Sequence, residues 1–319
     1  MAGALRVRLG GTNIYGGVVH HGELLGAQFP APSGSDARSA RVALLDASVR
    51  VRRLARCLVP EPAFSEDCRA LAAAGTAVVP SRLRPDEGFR LSVRATIETM
   101  RREHCDACLI TNPHNPSGAL AARGDVAEIA HAASALGALT IVDEAFIDYV
   151  PQESVLDIAA MEPAIIVIRS LTKFFAVPAL RAGYAVCEPA LARRLRATLP
   201  PWPVTTAVSR AFVAALGDRR YERRTLARNS REREHLSRRL RRLGFGVTAA
   251  AANFLLVELL PGAPTAAIVV DRLIERERIV VRDCTRFPDL EGGRFIRVAV
   301  RVRREIERLA AALARCAEG

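Results

Sequence analysis

From residue 54 onward, short apolar runs alternate with longer amphipathic ones, and few folds accommodate that alternation. Residues 54–59, 76–79, 107–111, 140–143 and 164–170 read as buried strands, and 65–74, 92–103 and 123–136 between them carry helical spacing. Strands joined through helices pair in parallel, because each crossover helix must pack back on the sheet. The strand runs are apolar at successive positions, so both sheet faces need cover. The expectation is an α/β fold with a mostly parallel central sheet and helices on both faces. After Pro200-Pro201-Trp202-Pro203 the pattern changes: a long charged helix over 221–243, strands at 254–258, 279–282 and 295–300, and a final helix over 304–316. This reads as a smaller C-terminal α+β domain. The division is therefore 1–50, a short N-terminal arm of poor periodicity, 51–203, a large domain, and 204–319, a small C-terminal domain.

Composition narrows the function classes. Half of the 319 residues are hydrophobic and a quarter charged, ordinary for a globular protein. The formal charge of +12 comes from arginines dispersed among acidic residues, as in 221–242, without interleaved aromatics. They read as solvated helix faces, so no nucleic-acid partner is expected, while the positive field suits a small anionic substrate. Seven cysteines without repeated spacing fit a reducing compartment. Cys105 and Cys108 form a lone CxxC that leads into a strand, so no metal site is expected. Residues 1–11 hold no apolar core of signal-peptide length, and no uncharged apolar stretch reaches 18 residues. A cytoplasmic protein without membrane contact is expected.

In parallel sheets, ligands bind beyond the carboxyl ends of the strands. Three predicted strands end in polar segments: Asn112 to Ser117, Asp143-Glu144, and Ser170 to Lys173. Lys173 is the only lysine among 46 lysines and arginines. A guanidinium stays protonated, whereas an amine can lose its proton and attack a carbonyl. Arg181 follows eight residues later. An amine, a carboxylate, an amide, two hydroxyls and a guanidinium thus gather at one sheet edge. Pyridoxal phosphate requires such a set: an amine for its aldehyde, an anion to keep its ring nitrogen protonated, and hydroxyls with an arginine for its phosphate. Taken singly, Asp143 could cap a helix, Asn115 could form a turn, Ser170 and Thr172 could bond local backbone, and Arg181 could be a surface charge.

The segments Asp143-Glu144-Ala145-Phe146-Ile147-Asp148 and Arg169-Ser170-Leu171-Thr172-Lys173-Phe174 resemble the class I/II aminotransferase group of fold type I pyridoxal-phosphate enzymes. Within that group the chain resembles the threonine-phosphate decarboxylases of cobalamin synthesis, relatives of histidinol-phosphate aminotransferases. The resemblance runs from about residue 57 to the end and makes 51–203 the cofactor-binding domain. It implies that Lys173 forms the covalent imine and shuttles protons, that Asp143 pairs with the ring nitrogen, and that Asn115 bonds the ring hydroxyl oxygen. Ser170, Thr172 and Arg181 would hold the cofactor phosphate, Arg297 the substrate carboxylate, and Arg282 the substrate phosphate. Asn13, in Gly10-Gly11-Thr12-Asn13, matches a substrate-side asparagine. Phe146 stands where many aminotransferases carry a tyrosine that also bonds the ring oxygen, which tilts the reading toward decarboxylation. The implied activity is decarboxylation of L-threonine O-3-phosphate to aminopropanol phosphate by a homodimer. An aminotransferase of the histidinol-phosphate type and a degenerate non-catalytic paralogue are the alternatives. Three departures bear on the cofactor. The N-terminal part is short by several tens of residues, residues 36–56 lack the glycine segment expected at the phosphate, and Asp67 replaces an aromatic that would stack on the ring.

Overall fold

The computed structural model describes residues 17–20, 23–26, 48, 52–199, 204–290 and 292–317. Twelve strands among them form two sheets. The large sheet contains β1 (Gly17–His20), β2 (Glu23–Gly26), β3 (Arg56–Glu61), β4 (Ala77–Arg82), β5 (Ala107–Thr111), β6 (Leu139–Asp143), β7 (Ile165–Ser170) and β8 (Gly183–Val186). Their spatial order is β2-β1-β8-β7-β6-β5-β3-β4. The block from β4 to β7 is parallel, and the antiparallel pairings are β7 with β8 and β1 with β2. This is the mostly parallel sheet that the sequence predicts.

The continuous apolar runs have a simple cause. Successive side chains point to opposite faces, and both faces are buried. Cys57, Val59, Leu109, Ile141, Ile166 and Ile168 enter one core, which also takes up helix Ser65–Ala73. Leu58, Cys108, Ile110, Val142 and Val167 enter the other, against helices Val93–Arg102 and Arg123–Ala135.

The second sheet is antiparallel and comprises β9 (Gly246–Val247), β10 (Phe254–Glu258), β11 (Arg282–Asp283) and β12 (Phe295–Ala299), in the order β11-β12-β10-β9. Its two faces have different neighbours. Leu255, Val257, Ile296 and Val298 pack with residues of the helices Arg219–Arg242, Ala266–Glu277 and Arg303–Ala317. Leu256, Cys284 and Phe295, on the alternate positions, cluster with Leu83 and Phe89 of the large-sheet half. The outward face of the small sheet is therefore turned toward the large one.

Sequence and structure part at several places. The strand expected over 279–282 is reduced to Arg282–Asp283, because Arg278 caps the preceding helix in a left-handed conformation (φ 54°). The Ile279 amide then folds back to the Leu273 carbonyl at 3.0 Å, so the chain is still closing the helix at 279. Lys173 lies in a helical turn, Leu171–Phe174, rather than at a strand end. The sequence pattern does not announce helices Pro189–Thr198, Thr206–Gly217 and Ala266–Glu277, and β1 and β2 fall in the stretch of poor periodicity. The proline cluster at 200–203 and Asn13 lie outside the described residues. All seven cysteines are free, and burial raises the pKa of each thiol, Cys284 to about 12. No helix among the described residues is long and apolar enough to cross a membrane.

One contact pins the two halves together. Gly118 has φ +77°, and a Cβ built there would lie 2.6 Å from Ala250 Cβ. The Ala251 amide donates to the Gly118 carbonyl at 2.8 Å in the same contact. Gly118→Ala must push the 250–253 loop away and adopt a disfavoured φ, so a loss of about 2 kcal/mol is expected. Urea denaturation measures it; an unchanged midpoint would show that this approach is not tight.

Candidate active site

The carboxyl ends of three adjacent parallel strands supply the site. Thr111 of β5 pairs with Asp143 of β6, and Asp143 pairs with Ile168 of β7. Their continuations are the 112–118 loop, the Asp143–Tyr149 turn and the Leu171–Phe174 turn. Parallel register thus brings to one sheet edge residues that lie up to sixty positions apart in the chain.

The 112–118 loop is braced internally. The Asn112 side chain donates to the Ala121 carbonyl and accepts from the Ala121 amide, both at 3.0 Å. Buried His114 places Nδ1 2.6 Å from Ser117 Oγ, and burial pushes its pKa down to about 4, so the ring is neutral. Nothing in the sequence marks His114 for a bracing role, since its residue type alone carries no such signal. The brace holds Asn115, which is buried and accepts a hydrogen bond at Oδ1 from an Arg297 guanidinium N–H.

Asp143 is also buried, and its Oδ1 accepts from the Ala145 amide at 3.1 Å. Behind it Glu144 is fully buried. Its Oε2 accepts from Ser154 Oγ at 2.7 Å and pairs with Arg169 Nε at 2.8 Å, while Oε1 accepts from the Val155 amide. Arg169 also reaches Asp148 at 2.6 Å and Ser154 Oγ at 2.9 Å. One guanidinium therefore ties the turn carrying Asp143 and Phe146 to the strand end carrying Ser170. The sequence placed both acids and Arg169 in the resembling segments but gave no sign that they meet.

Ser170 caps the Leu171–Phe174 turn, accepting from the Thr172 amide at 3.4 Å, and the two hydroxyls lie 2.8 Å apart. Both residues are buried. Lys173 is exposed, with Nζ 6.0 Å from the centre of the Phe146 ring. Its turn is held from the other side by Tyr221, whose hydroxyl donates to the Phe174 carbonyl at 2.9 Å. Arg181 is half-buried, has a left-handed φ of 48°, and donates to the Pro178 carbonyl at 2.6 Å.

From the small sheet, Arg297 and Arg282 occupy paired positions on β12 and β11 and so share one face. It is the face turned toward the large sheet. Arg297 lies with Cζ 4.9 Å from the centre of the buried Phe254 ring, and Arg282 lies 5.8 Å from the Phe287 ring. Phe254 meets Phe146 edge to face, with centroids 5.0 Å apart. Lys173, Phe146, Phe254, Arg297 and Asn115 therefore form one run of contacts across the two halves. Asp67 is buried on helix Ser65–Ala73. A small apolar cavity lies behind the 112–118 loop, lined by Leu83, Phe89, Ile110 and His114, among others; Lys173 and Asp143 do not line it.

The donor set suits pyridoxal phosphate: an amine, a buried carboxylate on the neighbouring strand, an amide, paired hydroxyls and a guanidinium. The comparisons with known proteins agree. Residues 34–313 match the family described as aminotransferase class I and II. A threonine-phosphate decarboxylase of Salmonella typhimurium is 34% identical over 261 residues, covering 81% of this chain and 70% of that protein. A histidinol-phosphate aminotransferase of Methanocella arvoryzae is 28% identical over 257 residues, covering 81% and 68%. The crystal structure of the histidinol-phosphate aminotransferase from Clostridium acetobutylicum superposes with a TM-score of 0.78 at 26% identity, covering 86% of this chain and 80% of that one. The chain belongs to the class I and II aminotransferase family and has the fold of the type I pyridoxal-phosphate enzymes. Its cofactor is pyridoxal phosphate.

Proposed function

We propose that the protein decarboxylates L-threonine O-3-phosphate to aminopropanol phosphate. The observation that carries this reading is the pairing of Arg282 and Arg297 on one face of the small sheet. A substrate that carries both a carboxylate and a phosphate has use for two cations there at once, whereas a histidinol-phosphate transaminase would meet a phosphate and a 2-oxoacid carboxylate on separate molecules in successive half-reactions. The 34% identity with a threonine-phosphate decarboxylase supports the same choice.

Pyridoxal phosphate, when bound, supplies an aldehyde for the substrate amine and a ring that takes up electrons as the carboxylate leaves. The chain's own residues then have separate tasks. Asp143 keeps a proton at the ring nitrogen. Asn115 donates to the ring oxygen, and Phe146, lacking a hydroxyl, adds no second donor. Ser170, Thr172 and Arg181 hold the cofactor phosphate, Arg181 giving up its Pro178 carbonyl contact to do so. Arg297 takes the substrate carboxylate and Arg282 the substrate phosphate, which orients the bond to be broken. The carboxylate departs as carbon dioxide, its bonding electrons pass to Cα, and Lys173 delivers a proton to that carbon.

The test is to incubate the cofactor-loaded protein with L-threonine O-3-phosphate, without any 2-oxoacid, and to measure carbon dioxide. Stoichiometric release with repeated turnover is expected. Turnover that appears only with a 2-oxoacid acceptor would replace this reading with a transaminase.

A further inference from the structure

We propose that Phe254 is a positioning residue for Arg297, and so sets how strongly the site prefers ligands that carry a carboxylate. The inference rests on the functional reading above only through the role given to Arg297. Phe254 opens β10 on the face turned toward the large sheet and is 5% exposed. Its ring meets both halves of the site. The Arg297 guanidinium carbon lies 4.9 Å from its centre, and its edge contact with Phe146 places it one ring away from Lys173. The 112–118 loop closes in on it, since a Cβ on Gly118 would stand 3.5 Å from its ring carbon.

A guanidinium held by one hydrogen bond can still rotate about that bond. Among the described residues, Asn115 Oδ1 accepts the one hydrogen bond that the Arg297 guanidinium donates. The Phe254 ring supplies a second constraint of a different kind, since a cation beside an aromatic ring is attracted to its face. Two constraints in different directions fix the fork, and the remaining N–H groups are then aimed before a ligand arrives. Preorganisation of this sort improves binding without adding a contact to the ligand. Burial penalises the charge of Arg297 and lowers its pKa, which makes a fixed set of partners matter more than at the surface. Phe146 supports the ring from the large sheet, so the arginine's aim depends on both halves being seated.

The experiment is a binding cycle on the cofactor-loaded protein, read by the cofactor absorbance. L-threonine O-3-phosphate is titrated against aminopropanol phosphate, the same molecule without its carboxylate. Phe254→Leu is expected to weaken the amino acid about 10-fold, the range of a lost, partly desolvated cation–π contact. The amine phosphate should change by less than about 2-fold. Phe254→Met, unbranched and closer in volume, guards against a packing failure and should behave alike, while Phe254→Tyr, which keeps a ring, should restore the preference. Arg297→Gln should also lose the preference, and adding Phe254→Leu to it should cost nothing more. Equal weakening of both ligands, or losses that add in the double variant, would overturn the proposal. If the wild type ignores threonine phosphate, the decarboxylase reading fails by itself. The same cycle is then read with L-glutamate, an amino donor for transaminases, against 4-aminobutyrate, its counterpart without the α-carboxylate.

Discussion

Lys173→Ala is expected to lose about 10⁴-fold in turnover, the upper range for removing a positioned proton-transfer group, and to lose its covalent hold on the cofactor as well. The expectation follows from the chain's composition and from geometry together. The sequence holds no second lysine to substitute for it, and its amine lies 6.0 Å from the centre of the Phe146 ring. Lys173→Arg should fail equally, because a guanidinium stays protonated and cannot form the imine. Two measurements check this: carbon dioxide release from threonine phosphate, and borohydride treatment, which should fix the cofactor on the wild type alone. Turnover within about tenfold of wild type would remove Lys173 from the chemistry.

The second large effect lies behind the site. Arg169→Met leaves Glu144 and Asp148 without their shared cation, one fully buried and the other half-buried. Breaking a buried pair by removing one partner costs about 3–5 kcal/mol. In the wild type, burial already raises the pKa of Glu144 above the usual carboxylate range, with Arg169 pulling against it, and Asp148 is shifted in the same direction for the same reason. Removing Arg169 drives both higher. A carboxyl with a raised folded pKa binds more protons folded than unfolded, so its stabilising contribution is present at low pH and lost as pH rises through the folded value. The deficit of the variant should therefore be largest near neutrality and shrink as pH falls toward the unfolded carboxylate range. Adding Glu144→Gln should recover part of it at neutral pH. Urea midpoints at neutral and mildly acidic pH decide the matter; an equal deficit at both would mean that lost packing, not charge, is responsible.

Much of the framework was legible because one physical signal is strong. The β5 strand and the helix over 123–136 announce themselves through apolar runs and period, since the sheet is buried on both faces. The polar ends of β5, β6 and β7 could be read as one site because parallel register aligns carboxyl ends. What escaped were contacts made by tertiary approach. Nothing in the sequence near residue 254 tells that its ring meets Phe146, and nothing near Gly118 tells that Ala250 lies against it. The sequence predicts a longer β11 than forms, because a left-handed arginine at 278, where glycine would be the usual sign, ends the helix. The sequence predicts Lys173 at a strand terminus, whereas the Ser170 cap ends the strand and Lys173 lies in the helical turn that follows.

If the proposed roles hold, the two sheets divide the work between separate parts of the gene. The groups assigned to bond making sit at or just beyond the ends of β6 and β7, while the paired arginines are displayed on β11 and β12, more than a hundred codons downstream. On the reading proposed here, a lineage can alter which molecule is gripped by changing a few positions on one ribbon, leaving the reactive machinery untouched. A family so built can diversify its substrates by small local edits, and laboratory evolution of this chain has a correspondingly short stretch to search.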